Sequence, residues 1–479
     1  MIAINKNLLD ADGLPPSALL LALMNAQDDI CRKRLNKLHN YYTLKHDILG
    51  RTRLSGVPNN KLQHDLPGYI VTVASGYLVG KPVQYAVAGG TETTTFDALK
   101  QAMDKSDTSS VDAELAVDAS VYGKGVELCY ADEQAQPKVA QIDPRTSFVV
   151  YDDTVEHKPL LGIAIYPELD ASLMRKGDRV DVYTSSMVVH YTRMSTGAPI
   201  EKANGRERHF FGAVPMIEYW NNAHETGDFE PVVSLIDAYD VLQSDRINDK
   251  QQFTDAVMVF KGFGGLSQQD DGSDTTTTVN TDGPISVTTE EITDAERLRQ
   301  KKMVFLPDPG SDMSYVTKTD DQGGNELLRK SLAGDIHKFA YVPDLTDEKF
   351  SGTTSGVAMR YKLFGLEMLV SMKERWFKEA LRSRLKCLIS FLVTKGSAAL
   401  DVDDIQITFT RSLPVNELEI AQMAEAYKDI LPDEMILSKI PGVDDPKATA
   451  EMMQKQKAEA VKNMQEQFPR YDNTQDQQV

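Results

Sequence analysis

The feature that most constrains this chain is a long amphipathic stretch between about Val357 and Thr394. Its apolar residues recur at every third or fourth position, a period that places them along one side of an α-helix. With a rise of 1.5 Å per residue, the predicted helix would be roughly 55 Å long. A compact single core does not need such a helix, so the chain is expected to be elongated. The predicted apolar stripe consists of Val357, Tyr361, Phe364, Met368, Phe377, Leu381, Leu385, Leu388 and Leu392.

Two shorter helices with a polar excursion between them precede the long helix. The first is predicted from Pro231 to about Ala256, and the second from Asn325, a favourable N-cap residue, to Val342. The residues from Ser267 to Asp282 are too polar to bury much surface, which predicts a loop or a mobile excursion. Two strand-like segments are expected to pair at the base of this excursion. They are Val257–Phe260 and Met303–Leu306.

The rest of the chain divides into a helical beginning, a strand-rich middle and a helical end. Helices are predicted after Pro15-Pro16, where Leu19, Leu20 and Leu23 form the buried face, and from His64 to Val79. Between about residues 125 and 193, β-branched and aromatic segments separated by turn residues predict an antiparallel meander. Its strands are Val126–Tyr130, Lys138–Ile142, Phe148–Tyr151, Leu161–Tyr166, Val180–Tyr183 and Met187–Tyr191. The strand Ile405–Phe409 and C-terminal helices between Val415 and Gln467 follow the long helix.

Length and composition exclude several classes of protein. The 479 residues suggest about three structural units. The formal net charge of −19 would repel nucleic acid, because phosphate binding relies on Lys and Arg. Three widely spaced cysteines argue against a disulfide framework and fit a reducing compartment. The run Ala18–Met24 is far shorter than the roughly 20 residues of a membrane span, so no membrane partner is expected.

No motif in the sequence predicts catalysis, a cofactor or a metal site. The phosphate-binding P-loop, the HExxH pair and the GxSxG elbow are all absent. His46, near the end of a predicted helix, is interpreted as a capping or core residue. The oxygen-rich segment Asp270–Asp274 lacks the bidentate Glu of a calcium loop, which favours a solvated turn over a calcium site. The chain is therefore expected not to be an enzyme.

Several short motifs follow one another in order between about residues 40 and 390. They are Tyr41-Tyr42 with His46, Pro58–Leu62, Tyr77–Val83, Gly212–Asn222, Leu235–Tyr239 with Ser244-Asp245 and Asn248-Asp249, Val342–Asp344, and Ser355–Ala358. This series resembles the portal proteins of tailed bacteriophages, the siphophage-type head-to-tail connectors. The C-terminal region and the polar excursion carry no part of the resemblance.

The resemblance implies an α+β fold, mainly helical, with a wing, a stem, a clip and a crown. Two helices would form the stem, and the loop after the second helix would project toward the axis of a ring as a tunnel loop. The implied segments are 1–228 (wing), 229–256 (stem helix), 257–324 (clip), 325–342 (stem helix), 343–356 (tunnel loop), 357–411 (long wing helix and strand), 412–467 (crown) and 468–479 (disordered tail).

The resemblance also implies a function and a set of partners. Subunits would form a ring, typically a dodecamer, at one vertex of the capsid, through which double-stranded DNA is packaged and ejected. Terminase and later a head-completion adaptor would dock on the clip, and the ring would meet the major capsid and scaffold proteins. The protein would be assembled in the host cytoplasm and end in the virion.

The predicted tunnel loop is the expected contact with DNA. A ring of Asp344, Asp347 and Glu348 would form a negative collar that keeps a sliding polyanion centred, although these residues also suit an ordinary solvated loop. Lys349 would add a weak contact that does not read sequence. Phe350 would pack either against a neighbouring subunit or under its own loop.

The predicted stem supplies the expected subunit interface. Leu235, Ile236, Tyr239 and Leu242 form a stripe wide enough to face both the partner helix and the next subunit. The carboxylates Asp237, Asp240 and Asp245 are expected elsewhere on the surface of the same helix. The second stem helix adds the cations Lys330 and Lys338.

Two other classes of function stay open from the residues alone. One is another structural head protein, such as a minor capsid or scaffold component. The other is an enzyme with an unrecognised site, such as a nuclease that uses acidic clusters and a divalent metal. The order of helix, excursion, helix, loop and long helix favours the portal over another structural head protein. The lack of any compact metal or nucleotide motif argues against the enzyme.

Overall fold

The computed structural model describes most of the chain. The described residues are 1–55, 57–87, 94–194, 197–253, 257–261, 273–278, 286–291, 303–306, 312–316, 322–346, 361–411, 417–428, 430–437, 440, 443 and 449–456. The chain forms two compact units, of which the first joins Met1–Asp344 to Phe364–Ser412 and the second joins Leu345–Leu363 to Leu413–Val479.

The described residues of the first unit include eight α-helices. They are α1 (Ser17–Ile30), α2 (Asn36–Tyr42), α3 (Leu66–Val79), α4 (Thr94–Lys105), α5 (Thr108–Tyr122), α6 (Val233–Phe253), α7 (Gln322–Phe339) and α8 (Phe364–Thr394). A π-helical turn, Cys31–Leu35, joins α1 to α2. The second unit contains α9 (Glu417–Tyr427), α10 (Asp433–Leu437) and a helical segment at 449–456. Among the described residues, no helix is both long enough and apolar enough to cross a membrane.

The strands form several separate sheets. They are β1 (Ile2–Ile4), β2 (Gln84–Val87), β3 (Lys124–Ala131), β4 (Pro137–Ile142), β5 (Ser147–Asp152), β6 (Pro159–Leu169), β7 (Arg175–Tyr183), β8 (Met187–Met194), β9 (Ile200–Arg208), β10 (Met216–Trp220), β11 (Val257–Lys261), β12 (Ser273–Thr278), β13 (Ser286–Glu291), β14 (Met303–Leu306), β15 (Asp312–Val316) and β16 (Ile405–Thr408). The sheet orders are β1-β5-β6-β7-β8-β9, β10-β3-β4, β14-β11-β15, β12-β13 and β16-β2.

All six strands predicted between residues 125 and 193 are present, but the single meander is wrong. Only β5 to β9 form a meander, and β3 and β4 belong to a second sheet with β10. β10 pairs antiparallel with β3, with Glu218 opposite Val126. In the first sheet, β1 lies parallel to β5, with Ile2 opposite Val150, in a region predicted to be helical. Both pairings join segments far apart in sequence, which local periodicity does not report.

The helix predicted after Pro15-Pro16 is confirmed as α1. Pro16 occupies its N-cap, and Leu20, Leu23 and Met24 are buried. These side chains pack on the six-stranded sheet against residues such as Phe148. The amphipathic pattern of α1 is thus explained by one sheet face that the helix covers.

The long helix is confirmed, but its predicted apolar stripe is wrong in its first half. Phe377, Leu381, Leu385, Leu388 and Leu392 are buried as predicted. Phe364 and Met368 are instead 61% and 55% exposed. At 100° per residue these two positions lie on the opposite side of α8 from Phe377, where Leu366 and Val370 take the buried positions. The predicted start at Val357 lies outside the described residues.

The region between α6 and α7 differs from its prediction in two respects. The predicted pairing of β11 with β14 is confirmed and is parallel. The polar stretch predicted as a loop contains β12, which pairs with β13, because its successive threonines suit a strand. The oxygen-rich segment is divided: Asp270 and Asp271 lie outside the described residues, and Asp274 lies in β12 opposite Glu290.

The helix predicted from Asn325 to Val342 begins earlier than predicted. α7 starts at Gln322, so Asn325 lies inside the first turn and is not the N-cap. Each of Gly323 and Gly324 costs about 1 kcal/mol in a helix relative to Ala. Packing of α7 against α6, with an ion pair between Glu326 and Arg246, outweighs that cost.

Candidate functional site: the α6–α7 pair and its anchors

The helices α6 and α7 pack against each other through apolar side chains and one ionic cluster. Ile236 of α6 and Ile336 of α7 are fully buried. Glu326 lies 3.2 Å from Arg246 of α6 and 2.7 Å from Arg329 of its own helix. The two guanidinium groups hold the pKa of Glu326 down to about 2, so this carboxylate stays charged throughout the physiological range.

The structure divides the predicted interface residues into two groups. Ile236 and Tyr239 are buried within their own subunit, so they pack against this chain rather than a neighbour. Leu235 and Leu242 are half-buried. Of these four predicted interface residues, only the two leucines are therefore accessible to a second subunit. On α7, Lys330 and Lys338 are both exposed.

Two of the three carboxylates predicted on the surface of α6, Asp237 and Asp245, are half-buried, and the third, Asp240, is completely buried. Its carboxylate lies 2.5 Å from Nδ1 of His46 and 2.8 Å from Nδ1 of His64, and it accepts the backbone N–H of His64 at 3.0 Å. Burial disfavours the protonated form of His46, but the hydrogen bond and charge of Asp240 outweigh burial and raise the pKa of His46. Burial by itself raises the pKa of Asp240, but the hydrogen bonds from the two histidines outweigh burial and lower the pKa. Both shifts favour an ionised pair.

Further hydrogen bonds extend this contact along α6. The Tyr41 hydroxyl donates to Asp237, and the Tyr41 ring stacks on His46 with 4.7 Å between ring centres. Three more contacts follow within the next two turns of the helix. Ser244 Oγ accepts from the Leu62 backbone N–H at 2.9 Å, Asp245 pairs with Arg51 at 2.7 Å, and Asn248 Oδ1 accepts from the Asn60 backbone N–H at 2.7 Å.

We call residues 41–64 the strap, because hydrogen bonds and ion pairs along its length join it to the polar side of α6. The strap contains the motifs Tyr41-Tyr42 with His46 and Pro58–Leu62. Its partners Asp237, Ser244, Asp245 and Asn248 lie in the motifs of α6, and Asp240 directly follows the first of these motifs. Two sets of residues that carry the resemblance thus contact each other. Sequence reasoning missed this contact. The available signal was the spacing of Asp237, Asp240, Ser244 and Asn248, which forms a helical stripe of short polar side chains opposite the apolar stripe.

The first residues of the predicted tunnel loop are held in place by two other side chains. The backbone carbonyl of Val342 lies 3.0 Å from Nδ1 of His337, and the carbonyl of Pro343 accepts from the Tyr69 hydroxyl at 2.9 Å. The Tyr69 ring meets the His337 ring edge-on. Asp344 follows and is half-buried. The predicted loop residues Asp347, Glu348, Lys349 and Phe350 lie outside the described residues.

Two buried cations join α8 to the rest of its unit. Arg384 is fully buried and lies 2.6 Å from Asp112 of α5 and 2.7 Å from Glu127 of β3. Lys373 lies 2.5 Å from Asp228. A buried pair that loses one partner leaves an uncompensated charge, so these contacts specify where α8 lies.

Among the described residues, no group of three or more His, Cys, Asp or Glu side chains has an arrangement that could hold a metal ion. The buried ionic groups are paired with each other. The arrangement serves to hold α6, the strap and the start of the 343–356 segment in one fixed geometry.

Comparison with known proteins agrees with the motif series. The family model described as phage portal protein, SPP1 Gp6-like, matches residues 23–463. The portal protein of Clostridium phage phiCD119 is 22% identical over 441 residues, which cover 86% of this chain and 90% of that protein. The portal protein of Bacillus phage SPP1 is 22% identical over 459 residues, covering 92% and 83%. This chain therefore belongs to the SPP1 Gp6-like family of phage portal proteins, which are virion components.

Proposed function

We propose that this chain is the portal subunit of a tailed phage and forms a ring at one vertex of the capsid. Double-stranded DNA would pass through the ring during packaging and ejection. The observation that carries the proposal is the contact between the strap and α6, because the motifs typical of the family meet there. That contact fixes the α6–α7 pair, the element assigned to the stem.

The ring would close through a head-to-tail contact in which two different surfaces of each subunit meet. Such a contact gives a closed ring when the rotation between neighbours divides a full turn evenly. Leu235 and Leu242 are half-buried and remain accessible for a neighbour. A dodecamer is the expected ring.

The channel would act on DNA without reading its sequence. Asp344, Asp347 and Glu348, repeated around the ring, would repel phosphates from every side and centre the duplex. Lys349, Lys330 and Lys338 would add weak contacts with phosphates, which a moving duplex can break. Phe350 would lie midway along the projecting loop.

The partners follow from the position of the ring. Terminase would dock on the segment 257–324 during packaging, and a head-completion adaptor would replace it afterwards. The ring would contact the major capsid and scaffold proteins and would be assembled in the host cytoplasm. The role is structural and not enzymatic, so incubation of DNA with the purified protein and divalent metal ions is expected to leave the DNA uncut.

Imaging of the purified protein tests the ring. Negative-stain micrographs are expected to show closed particles with a central hole, and the particle mass is expected to equal a whole number of subunits near twelve. Monomers or dimers alone, at high protein concentration, would contradict the proposal.

Deletion of Asp347–Thr353 tests the assignment of the tunnel loop. The shortened protein is expected to form rings of normal size, because the anchors at Val342 and Pro343 are retained. DNA packaging is expected to be impaired in a reconstituted assay. Normal packaging by this variant would remove the assignment.

A further inference from the structure

One side of α8 is exposed to solvent along most of the helix. Seven of its residues follow each other at helical spacing and are all exposed: Phe364, Met368, Met372, Arg375, Glu379, Arg382 and Lys386. We call these seven residues the outer face. The apolar members are far from buried, with Phe364 at 61%, Met368 at 55% and Met372 at 55% exposure.

The opposite side of α8 is fixed in the core, so the outer face has a defined position. Phe377 and Leu381 are buried there, and Arg384 joins the helix to α5 and β3 through Asp112 and Glu127. The outer face is therefore a rigid surface whose side chains keep their spacing.

The outer face combines two kinds of chemistry. Its first half is apolar, and exposed apolar patches on a folded protein mark sites of association. Its second half is cationic, and within the part of the chain that the structure describes, Arg375, Arg382 and Lys386 have no carboxylate partner. The whole chain carries a net charge of −19, so this cationic half stands out against an acidic protein.

We infer that the outer face of α8 docks onto an acidic surface of a second copy of this chain. The inference rests on the proposed ring and names one of the two surfaces that a head-to-tail contact requires. Charge complementarity supports it, because another copy of a chain with 71 acidic and 52 basic residues presents acidic surface. Aromatic side chains, Met and Arg are also the residue types enriched in protein interfaces.

Duplex DNA fits the outer face less well than a second copy does. Phosphates would pair with Arg375, Arg382 and Lys386, but the sugar–phosphate backbone offers no apolar partner for Phe364, Met368 and Met372. A protein surface can offer apolar side chains to the first half of the outer face and carboxylates to the second half.

A pair of matched double variants tests the inference. Met368→Glu/Arg375→Glu changes the outer face. Met174→Glu/Lys176→Glu changes an exposed Met just before β7 and an exposed Lys near the start of β7. Both variants change the charge equally and replace exposed side chains, so circular dichroism and melting temperature are expected to match the parent. Mass photometry is expected to show that the first variant needs at least tenfold more protein to form rings, whereas the second assembles normally.

A photo-crosslinker at position 372, in a mixture of light and nitrogen-15-labelled protein, identifies the partner. Crosslinked peptides that combine both labels are expected. Crosslinks confined to one label, or rings of the first variant that form at the normal concentration, would overturn the inference. Intact rings of that variant with lost DNA binding would overturn it too and assign the outer face to DNA. Absence of rings in the parent protein would instead contradict the proposed ring itself.

Discussion

Asp240 shows how one side chain can decide the geometry of a helix pair. It is fully buried on α6 and receives hydrogen bonds from His46 and His64, which lie eighteen positions apart in the strap. A charged carboxylate at that depth is stable only with such partners. The histidines therefore hold α6 against the strap.

Replacement of Asp240 by Asn is expected to weaken this contact. The variant keeps the shape of the side chain but loses the charge that favours protonated His46, so the pKa of His46 is expected to fall. The free energy of unfolding is expected to drop by about 2 kcal/mol, the usual contribution of a hydrogen bond to a charged group. Urea unfolding and NMR titration of His46 measure the two effects. Asp249→Asn on the same helix is the control, and an equal loss in both variants would contradict the role of Asp240.

Asp118 is expected to make stability depend on pH. Burial raises the pKa of Asp118 to about 7, against the opposing hydrogen bond from Gln141. Between about pH 4, the ordinary range of an Asp in an unfolded chain, and the raised value, the folded state binds a proton that the unfolded state does not. The stabilising contribution of this proton is complete below the unfolded pKa and is lost as the pH rises through about 7.

Urea unfolding across this pH range checks the expectation. The free energy of unfolding of the parent is expected to fall more steeply with rising pH than that of Asp118→Asn, which cannot titrate. Asp97→Asn, at an exposed position of α4, is the control. Parallel curves for the parent and Asp118→Asn would argue against a buried, protonated Asp118.

At the scale of elements, turns and buried pairs decide where each helix and strand begins. The junction of α5 and β3 depends on Gly123, whose backbone φ is +85°. A Cβ atom added at this position would lie 1.7 Å from the backbone oxygen of Glu225. The same junction leads directly into Lys124, which pairs with buried Glu218 of β10 at 2.7 Å. One glycine thus permits both the turn and the pairing of the second sheet.

Two glycine substitutions are expected to have opposite effects. Gly123→Ala would place a methyl group against the Glu225 carbonyl in a left-handed conformation, and is expected to cost more than about 1 kcal/mol. Gly334→Ala, in the middle of α7 with nothing within 4 Å of the new Cβ, is expected to stabilise by roughly 0.5–1 kcal/mol. Thermal and urea unfolding of both variants measure the difference. If Gly123→Ala stabilised the protein, the turn would accept a side chain at this position without strain, contrary to the expectation.

At the scale of the whole molecule, net charge opposes tight binding of DNA. A chain at −19 that forms a ring would surround a duplex with negative potential, which suits passage better than retention. The few cations that could touch DNA then matter more than their number suggests. On the described part of the α6–α7 pair, the exposed candidates include Lys330 and Lys338.

Replacement of both lysines by Gln is expected to leave ring mass unchanged and to weaken DNA contact. Each lost phosphate contact lowers the slope of log affinity against log salt by about 0.9. Fluorescence anisotropy of a short labelled duplex, titrated at several salt concentrations, measures the slope. Lys33→Gln/Lys37→Gln, which removes two ion-paired lysines from the α1–α2 region, is the control. Equal slopes for the parent and both variants would separate Lys330 and Lys338 from DNA.

Local residue patterns predicted an element correctly where the whole pattern lies within that one helix or strand. The β-branched and aromatic runs of β5 to β8 and the apolar stripe of α1 predicted their elements, although β5 is buried on both faces and not on one. The position of Phe364 and Met368 on the exposed side of α8 was missed, because several apolar residues near helical spacing were joined into one stripe. No local residue pattern indicates that β10 pairs with β3 or that β1 pairs with β5.

Motifs and periodicity are local properties, so the family, the mainly helical α+β character and the order of helix, excursion, helix and long helix can be inferred from the amino-acid sequence. The tertiary structure was needed to show that the polar stripe of α6 binds the strap, that Ile236 and Tyr239 face their own core, and that one side of α8 stays exposed. The first of these joins residues more than a hundred positions apart, and the other two concern which side of a helix is buried. Such contacts depend on which surfaces meet when the chain folds, and the spacing of residues along the chain does not record that.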